Sequence, residues 1–313
     1  MRLDIAALSD VGRRKKNNED SYVVVREGAK GLRLFKEGAM VCVADGLGGH
    51  TGGEIASKLA VRIIGDVVKE KPLPAPSNGS PDDNSGGPLP RVRVSIERAN
   101  ERIYQTNRDL VRTRRPMGPT GLTGVVTPKK VFIGNVGDSR CYHIRENEIL
   151  AQTEDHSWVD EQVKLGLMSK AEAETDRRKN IVTRCVGTHE EVTVDTYLWH
   201  IVPGDMLLFC TDGLVNMVKD DDIKAEFRRG GTSAEISQRL VNLANENGGK
   251  DNVTVVVVNV SPTPTRLIYM RLASFLRQKG IGIAWGLGIA LFGLVAFLTG
   301  YGLHDKLKGV LPF

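Results

Sequence analysis

The chain has 313 residues and a formal net charge of +5, from 43 Lys and Arg against 38 Asp and Glu. Its apolar share of 41% and charged share of 26% exclude a disordered chain, and the length suffices for a large core. Aromatics are only 5% and no nucleic-acid motif accompanies the positive charge, which sets nucleic-acid binding aside.

The first residues, MRLDIAALSDVG, read as too polar for a secretory signal. Short strands are predicted over 3–8 and 22–26, and a continuous apolar strand over 39–44. From 53 to 69, Ile55, Leu59, Ile63 and Val67 recur every four residues, which predicts a helix with a broad buried face. Residues 72–90 are rich in Pro, Gly, Ser and Asn and are expected to form a flexible insertion. A second, more polar helix is expected over 92–113, then strands near 123–127, 131–136, 141–145 and 148–153. Two short helical stretches follow within 158–175, broken at Gly166; strands near 192–200 and 206–210 precede helices over 220–228 and 233–246. The last strand, 253–260, has the β-branched density of a core strand. Runs of strands with helices in pairs predict an α+β layered domain over 1–260, and the lack of strict βαβ alternation argues against a Rossmann sheet. Cys42, Cys141, Cys185 and Cys210 sit singly in apolar stretches and read as buried free thiols in a reducing compartment.

The C-terminal part differs in kind. Residues 281–303 are uncharged and apolar on every face, long enough for a transmembrane helix. Arg266, Arg271, Arg277 and Lys279 precede them in a basic linker, 261–280, and a short tail, 304–313, follows. The positive-inside rule then places the domain in the cytoplasm, anchored by a single C-terminal pass.

The chemistry is concentrated where carboxylates meet strand ends. The apolar strand at 39–44 runs into Asp45 and the glycine-rich stretch GLGGHTGG. No Lys occurs among residues 45–57, so this is not a P-loop, and its glycines do not match a dinucleotide turn. Asp138 follows Gly137 at the end of one strand, Asp212 precedes Gly213 at the end of another, and Asp251-Asn252 and Glu19-Asp20 immediately precede strands. One such Asp is ordinary turn chemistry. Five on neighbouring strands would bring mutually repelling carboxylates together, which divalent cations relieve. All-oxygen ligands favour Mg²⁺ or Mn²⁺ over Zn²⁺. The glycines are expected to clear space for hydrated ions and a phosphate.

In order and wording, GRRKKNNEDSY (12–22), VADGLGGHTGGEIAS (43–57), GLTGVV (121–126), VGDSR (136–140), TEDHS (153–157), IVTRCVGT (181–188), CTDGL (210–214) and KDNVT (250–254) resemble the metal-dependent serine/threonine protein phosphatases, the type 2C family, in its bacterial form. The resemblance implies a four-layer α-β-β-α sandwich. It implies that Asp45 bridges two Mn²⁺ or Mg²⁺ ions, that the Gly46 carbonyl ligates one, and that Asp212 and Asp251 complete the site. Glu19 and Asp20 would hold metal-bound waters, Asp138 with Asp212 a third ion, and Asn252 would hydrogen-bond nearby. Residues 156–184 would form a mobile flap. A metal-bridging hydroxide would hydrolyse phosphoserine or phosphothreonine.

Some positions depart from the family pattern. Lys15 stands where many members carry the Arg that binds the substrate phosphate, and Arg13 or Arg14 could share that role. Leu47 follows the Asp-Gly pair where eukaryotic members have a His, so a metal-bound water would protonate the leaving oxygen; His50 reads as a helix-start residue before a proton donor. At 121–124, Thr123 is kept while Leu122 replaces a Thr, a packing change. The rival expectation is a membrane-tethered pseudophosphatase that binds phosphoproteins without turnover. Membrane confinement points to partners such as a membrane-associated serine/threonine kinase or its substrates.

Overall fold

The computed structural model describes residues 2–26, 38–47, 51–69, 87–110, 116 and 118–262. The chain divides into a unit Met1–Ser261 and a second unit, Pro262–Phe313. The expected linker, transmembrane helix and tail lie outside the described residues, as do His50 and most of the 72–90 insertion. Among the described residues, no helix is long and apolar enough to cross a membrane.

The strand β3 (Ala39–Ala44) explains the architecture. All six of its residues are buried, which requires a layer on each face. Met40, Cys42 and Ala44 join a core with α1 (Thr51–Lys69) and α2 (Pro88–Leu110). Ala39, Val41 and Val43 face a second core shared with the opposite sheet. The period-two alternation of a strand thus separates a helix–sheet core from a sheet–sheet core. The final strand, β12 (Val253–Ser261), does the same from the other side: Val256, Val258 and Val260 face the inner core, while Val253, Val255 and Val257 face α7 (Ser233–Glu246).

One sheet runs in the order β1 (Arg2–Asp10), β12, β11 (Met206–Cys210), β8 (Arg140–Arg145), β9 (Glu148–Gln152). The other runs β10 (Asp195–His200), β7 (Lys130–Val136), β6 (Gly121–Val126), β3, β2 (Ser21–Arg26). The neighbouring pairs within each are antiparallel. The helices α1 and α2 cover one outer face, and α5 (Asp212–Val215), α6 (Asp220–Arg228) and α7 cover the other. This is the expected α-β-β-α layering. Between β9 and β10, α3 (Trp158–Lys164) and α4 (Lys170–Thr175) form the segment expected as a flap. A bridge between Ser157 and Val182 closes its neck.

Several boundaries differ from expectation. Residues 88–90 belong to α2, not to an insertion: Pro88 and Pro90 fall in the first turn, where a missing N–H costs nothing because those donors have no helical partner. The strand expected from residue 192 begins at Asp195, because its partner β7 turns away at Gly137 just past the Asp195–Asn135 pair. Val192 and Val194 instead pack against the helix-side core. The two-residue strands β4 (Gly46–Leu47) and β5 (Gly118–Pro119), and the single turn α5, were not foreseen. Cys42, Cys141 and Cys210 are buried free thiols, and Cys185 is half-buried.

Candidate active site

Register alone brings the acidic strand ends together. Ser21 pairs with Ala44, Gly121 with Val136, Cys210 with both Val255 and Arg140, and Asp10 with Val253. The entry to β2, the exit of β3, the β7–β8 turn, the exit of β11 and the entry to β12 therefore share one end of the sandwich. Glu19-Asp20, Asp45, Asp138, Asp212 and Asp251 sit at those five places.

Asp45 is held from both sides by Thr120. The Asp45 N–H donates to Thr120 Oγ1 at 2.8 Å, and the Thr120 N–H returns to the Asp45 carbonyl at 2.8 Å. The Thr120 hydroxyl is itself 2.7 Å from Ser139 Oγ. Asp20 has one oxygen anchored: Oδ2 accepts from Thr211 Oγ1 at 2.8 Å and Thr254 Oγ1 at 2.7 Å. Asn252 organises the loop that carries Lys15, Glu19 and Asp20. Its Oδ1 accepts the Glu19 N–H, and its Nδ2 donates to the carbonyls of Val11 and Asn17, each within 2.9 Å. Asp212 Oδ2 accepts from Asn216 Nδ2 at 3.0 Å.

Two of the site glycines, Gly46 and Gly213, serve close packing of the backbone. A Cβ on Gly46 would collide with the Gly53 carbonyl, and one on Gly213 with the Asn252 carbonyl. Their absent side chains allow backbone to pack on backbone, which seats Asp45 beside α1 and Asp212 beside Asp251. At these two positions the space a Cβ would take is filled by main chain, and Gly48 and Gly49 lie outside the described residues.

The electrostatics are those of crowded, buried acids. Burial, reinforced by Asp20, Asp212 and Asp138, holds the Asp45 carboxyl well above the usual range. Burial also raises Asp138, with Asp212 and Asp155 adding to it against the pull of Arg140. Asp20 is pushed up to about 7, by burial first and by Asp212 and Asp251 after its threonine bonds are allowed for. Asp212 is raised by burial, although a hydrogen bond with Asp45 opposes the shift.

Cations reach the cluster at two points. Lys15 Nζ lies 2.6 Å from Asp251 Oδ1. Burial would lower its pKa, but Asp251, Asp45 and Glu19 together raise it. Arg140 clamps Asp155 through two bonds of 2.7 and 2.8 Å, next to Asp138. Arg13 is exposed and packs its stem over Gly249; it makes no ion pair with a described carboxylate. His156 accepts the Gly137 N–H on Nδ1 at 2.9 Å and faces Asp195 with Nε2 at 3.1 Å, tying the Asp138 turn to the flap neck.

Among the described residues, no three carboxylate, imidazole or thiol side chains already form a coordinating array. Yet Asp20 Oδ1 and Asp212 Oδ1 are buried without a hydrogen-bond partner. Orphaned carboxylate oxygens among mutually repelling acids fit hard divalent cations with oxygen ligands. Thr120, Thr211 and Thr254 were missed as site residues; Thr254 interrupts a valine run and Thr211 precedes Asp212, the faint signals that could have marked them.

Residues 13–253 match the family described as protein phosphatase 2C. The serine/threonine phosphatase stp of Listeria monocytogenes is 33% identical over 253 residues, 80% of this chain and 93% of that protein. The S. agalactiae serine/threonine phosphatase structure superposes with a TM-score of 0.71 at 32% identity, covering 83% of this chain and all of that one. The catalytic domain of serine/threonine protein phosphatase PstP, in a complex with 2 manganese ions, superposes with a TM-score of 0.68 at 29% identity, covering 83% and 99%. The chain belongs to the protein phosphatase 2C family.

Proposed function

We propose that the chain is a phosphoserine/phosphothreonine protein phosphatase that works at this carboxylate cluster with two Mn²⁺ or Mg²⁺ ions. The observation that carries the reading is the set of five acidic strand ends at one end of the sandwich, with oxygens of Asp20 and Asp212 left unpartnered. Asp45, the Gly46 carbonyl, Asp212 and Asp251 would hold the two ions, Glu19 and Asp20 their hydrating waters, and Asp138 with Asp212 a third. When bound, such ions supply Lewis acidity and lower the pKa of water. The chain's own residues do the rest. Lys15 turns from Asp251 to hold the substrate phosphate, Asn252 fixes the loop that presents it, and Thr211 and Thr254 orient Asp20.

The uncharged run at 281–303, preceded by basic residues, supports a single-pass membrane anchor with the phosphatase domain in the cytoplasm. Tethering raises the local concentration of membrane-associated partners, so a serine/threonine kinase at the membrane, or its targets, fits as substrate. Deleting 264–313 should release the protein from membrane fractions and reduce dephosphorylation of such a partner in cells.

The activity is tested with the full chain on p-nitrophenyl phosphate and a phosphothreonine peptide, in EDTA, Mn²⁺ and Mg²⁺, beside Asp45→Asn and Asp212→Asn. Metal-dependent turnover that collapses in both variants supports the assignment. A folded, metal-binding chain without turnover would make it a pseudophosphatase.

A further inference from the structure

We propose that a strip of unpaired cations beside the cluster selects substrates carrying a second anionic group close to the phosphorylated residue. The inference rests on the phosphatase reading above. The turn at 12–16 is stapled to the turn at 248–251: the Gly249 carbonyl accepts the Arg13 N–H at 2.7 Å and the Arg14 N–H at 3.2 Å. Arg13, Arg14, Lys15, Lys16 and Lys250 thereby share one rim, and all five are exposed. Lys15 alone among them pairs with a described acid, Asp251. Lys58 on Glu54, Lys164 on Glu154 and Arg229 on Glu226 show the paired alternative at other surface positions.

The strip lies within reach of a bound substrate. Arg14 and Lys16 flank Lys15, and Lys250 flanks Asp251, so each Cα is ~3.8 Å from that of a site residue. An extended peptide advances ~3.4 Å per residue. An anion about one to three residues from the phosphorylated side chain therefore meets these long side chains. Lys16 also lines a cavity of about 700 Å³ that runs past Asn18, Asp20 and Tyr22 to Glu54 and Lys58, a path for the peptide away from the cluster. Unpaired cations there pay no cost of breaking an existing ion pair when such a peptide arrives. A carboxylate and a second phosphate offer the same chemistry, the phosphate with more charge.

The test compares phosphothreonine peptides that differ only in flanks: three Asn, three Asp, three Lys, or one neighbouring phosphoserine. The full chain is assayed beside Arg14→Glu/Lys16→Glu/Lys250→Glu and the milder Arg14→Gln/Lys16→Gln/Lys250→Gln. Each kcat/KM is normalised to the same protein's rate on p-nitrophenyl phosphate, which has no flanks. The parent is expected to prefer an anionic flank over the Asn flank by roughly five- to tenfold, a preference that fades at high salt. The Gln variant should lose it and the Glu variant invert it toward the Lys flank. The Asp and phosphoserine arms then show which anion is read. Equal flank ratios in parent and variants overturn the proposal. So does reduced variant binding to anionic phospholipid vesicles with unchanged peptide ratios, which would assign the strip to a membrane surface. A parent inactive on every substrate refutes the phosphatase reading, and this inference with it.

Discussion

Glu19 donates its backbone N–H to Asn252 Oδ1 at 2.8 Å, joining two segments 233 positions apart in the chain. The same Asn252 side chain donates to Val11 and Asn17, so one amide fixes the whole loop that presents Lys15, Glu19 and Asp20. Asn252→Ala removes three hydrogen bonds, each worth about 0.5–1.5 kcal/mol net. We expect a stability loss of about 2–4 kcal/mol by urea denaturation. Turnover should fall by roughly 10- to 100-fold, because misplaced site groups lose their orientation. An active, equally stable variant would show that the loop is held by other contacts.

Asp205, far from the cluster, carries a pH-dependent share of stability. Its Oδ2 accepts from His143, Arg145 and the Val202 N–H, and its Oδ1 from Arg145, all within 2.9 Å. Burial would raise this carboxyl, but Arg145, the Val202 N–H and His143 outweigh it and hold it below the ordinary value. A depressed native pKa contributes stability that is complete above the unfolded value and disappears as pH falls through the native one. Asp205→Asn should therefore cost about 2–4 kcal/mol at neutral pH. The gap between parent and variant should narrow as pH drops below about 4. Denaturant unfolding at a series of pH values measures it; a gap that stays constant would remove Asp205 as the cause.

Two glycines of similar standing in the sequence should respond oppositely to alanine. A Cβ on Gly46 meets the Gly53 carbonyl and the Glu19 carbonyl, both backbone atoms that cannot swing aside. Gly46→Ala should cost about 1–3 kcal/mol or more and displace Asp45, with a matching loss of turnover. Gly65, in α1, would place its Cβ at an ordinary 3.7 Å from Val23 Cγ1. Gly65→Ala should stabilise the chain by roughly 0.5–1 kcal/mol through helix propensity alone. Thermal melts of both variants decide the matter.

That contrast shows where the sequence could be read and where it could not. The buried alternation of β3 and the valine run of β12 announced core strands, because all of β3 and the valines of β12 face one of two cores. The acids at the strand ends were visible because Asp next to Gly after an apolar run is a local pattern. What the glycines touch is not local: Gly46 meets Gly53 and Gly213 meets Asn252 only after the sheets have formed. Thr211 and Thr254 escaped notice for the same reason, since each becomes a site residue only by reaching Asp20 from a distant part of the chain. The strands β4 and β5 pair over two residues each, too short for any periodicity to appear.

The Lys15 ammonium group sits 2.6 Å from Asp251; under the proposed function it would compete there with a divalent ion for that carboxylate and would also hold the substrate phosphate, two roles that pull in opposite directions. Lys15→Ala should free Asp251, so half-maximal thermal stabilisation by Mn²⁺ should occur at a lower concentration than in the parent. The same change should raise KM for a phosphothreonine peptide and lower kcat/KM by about tenfold, a loss on the scale of one charge-assisted hydrogen bond. Lys15→Arg should keep the phosphate contact, with a planar fork suited to two phosphate oxygens, and match or exceed the parent in kcat/KM. If Lys15→Ala weakened Mn²⁺ and left KM unchanged, Lys15 would serve only to brace Asp251, and the phosphate would have to be held elsewhere.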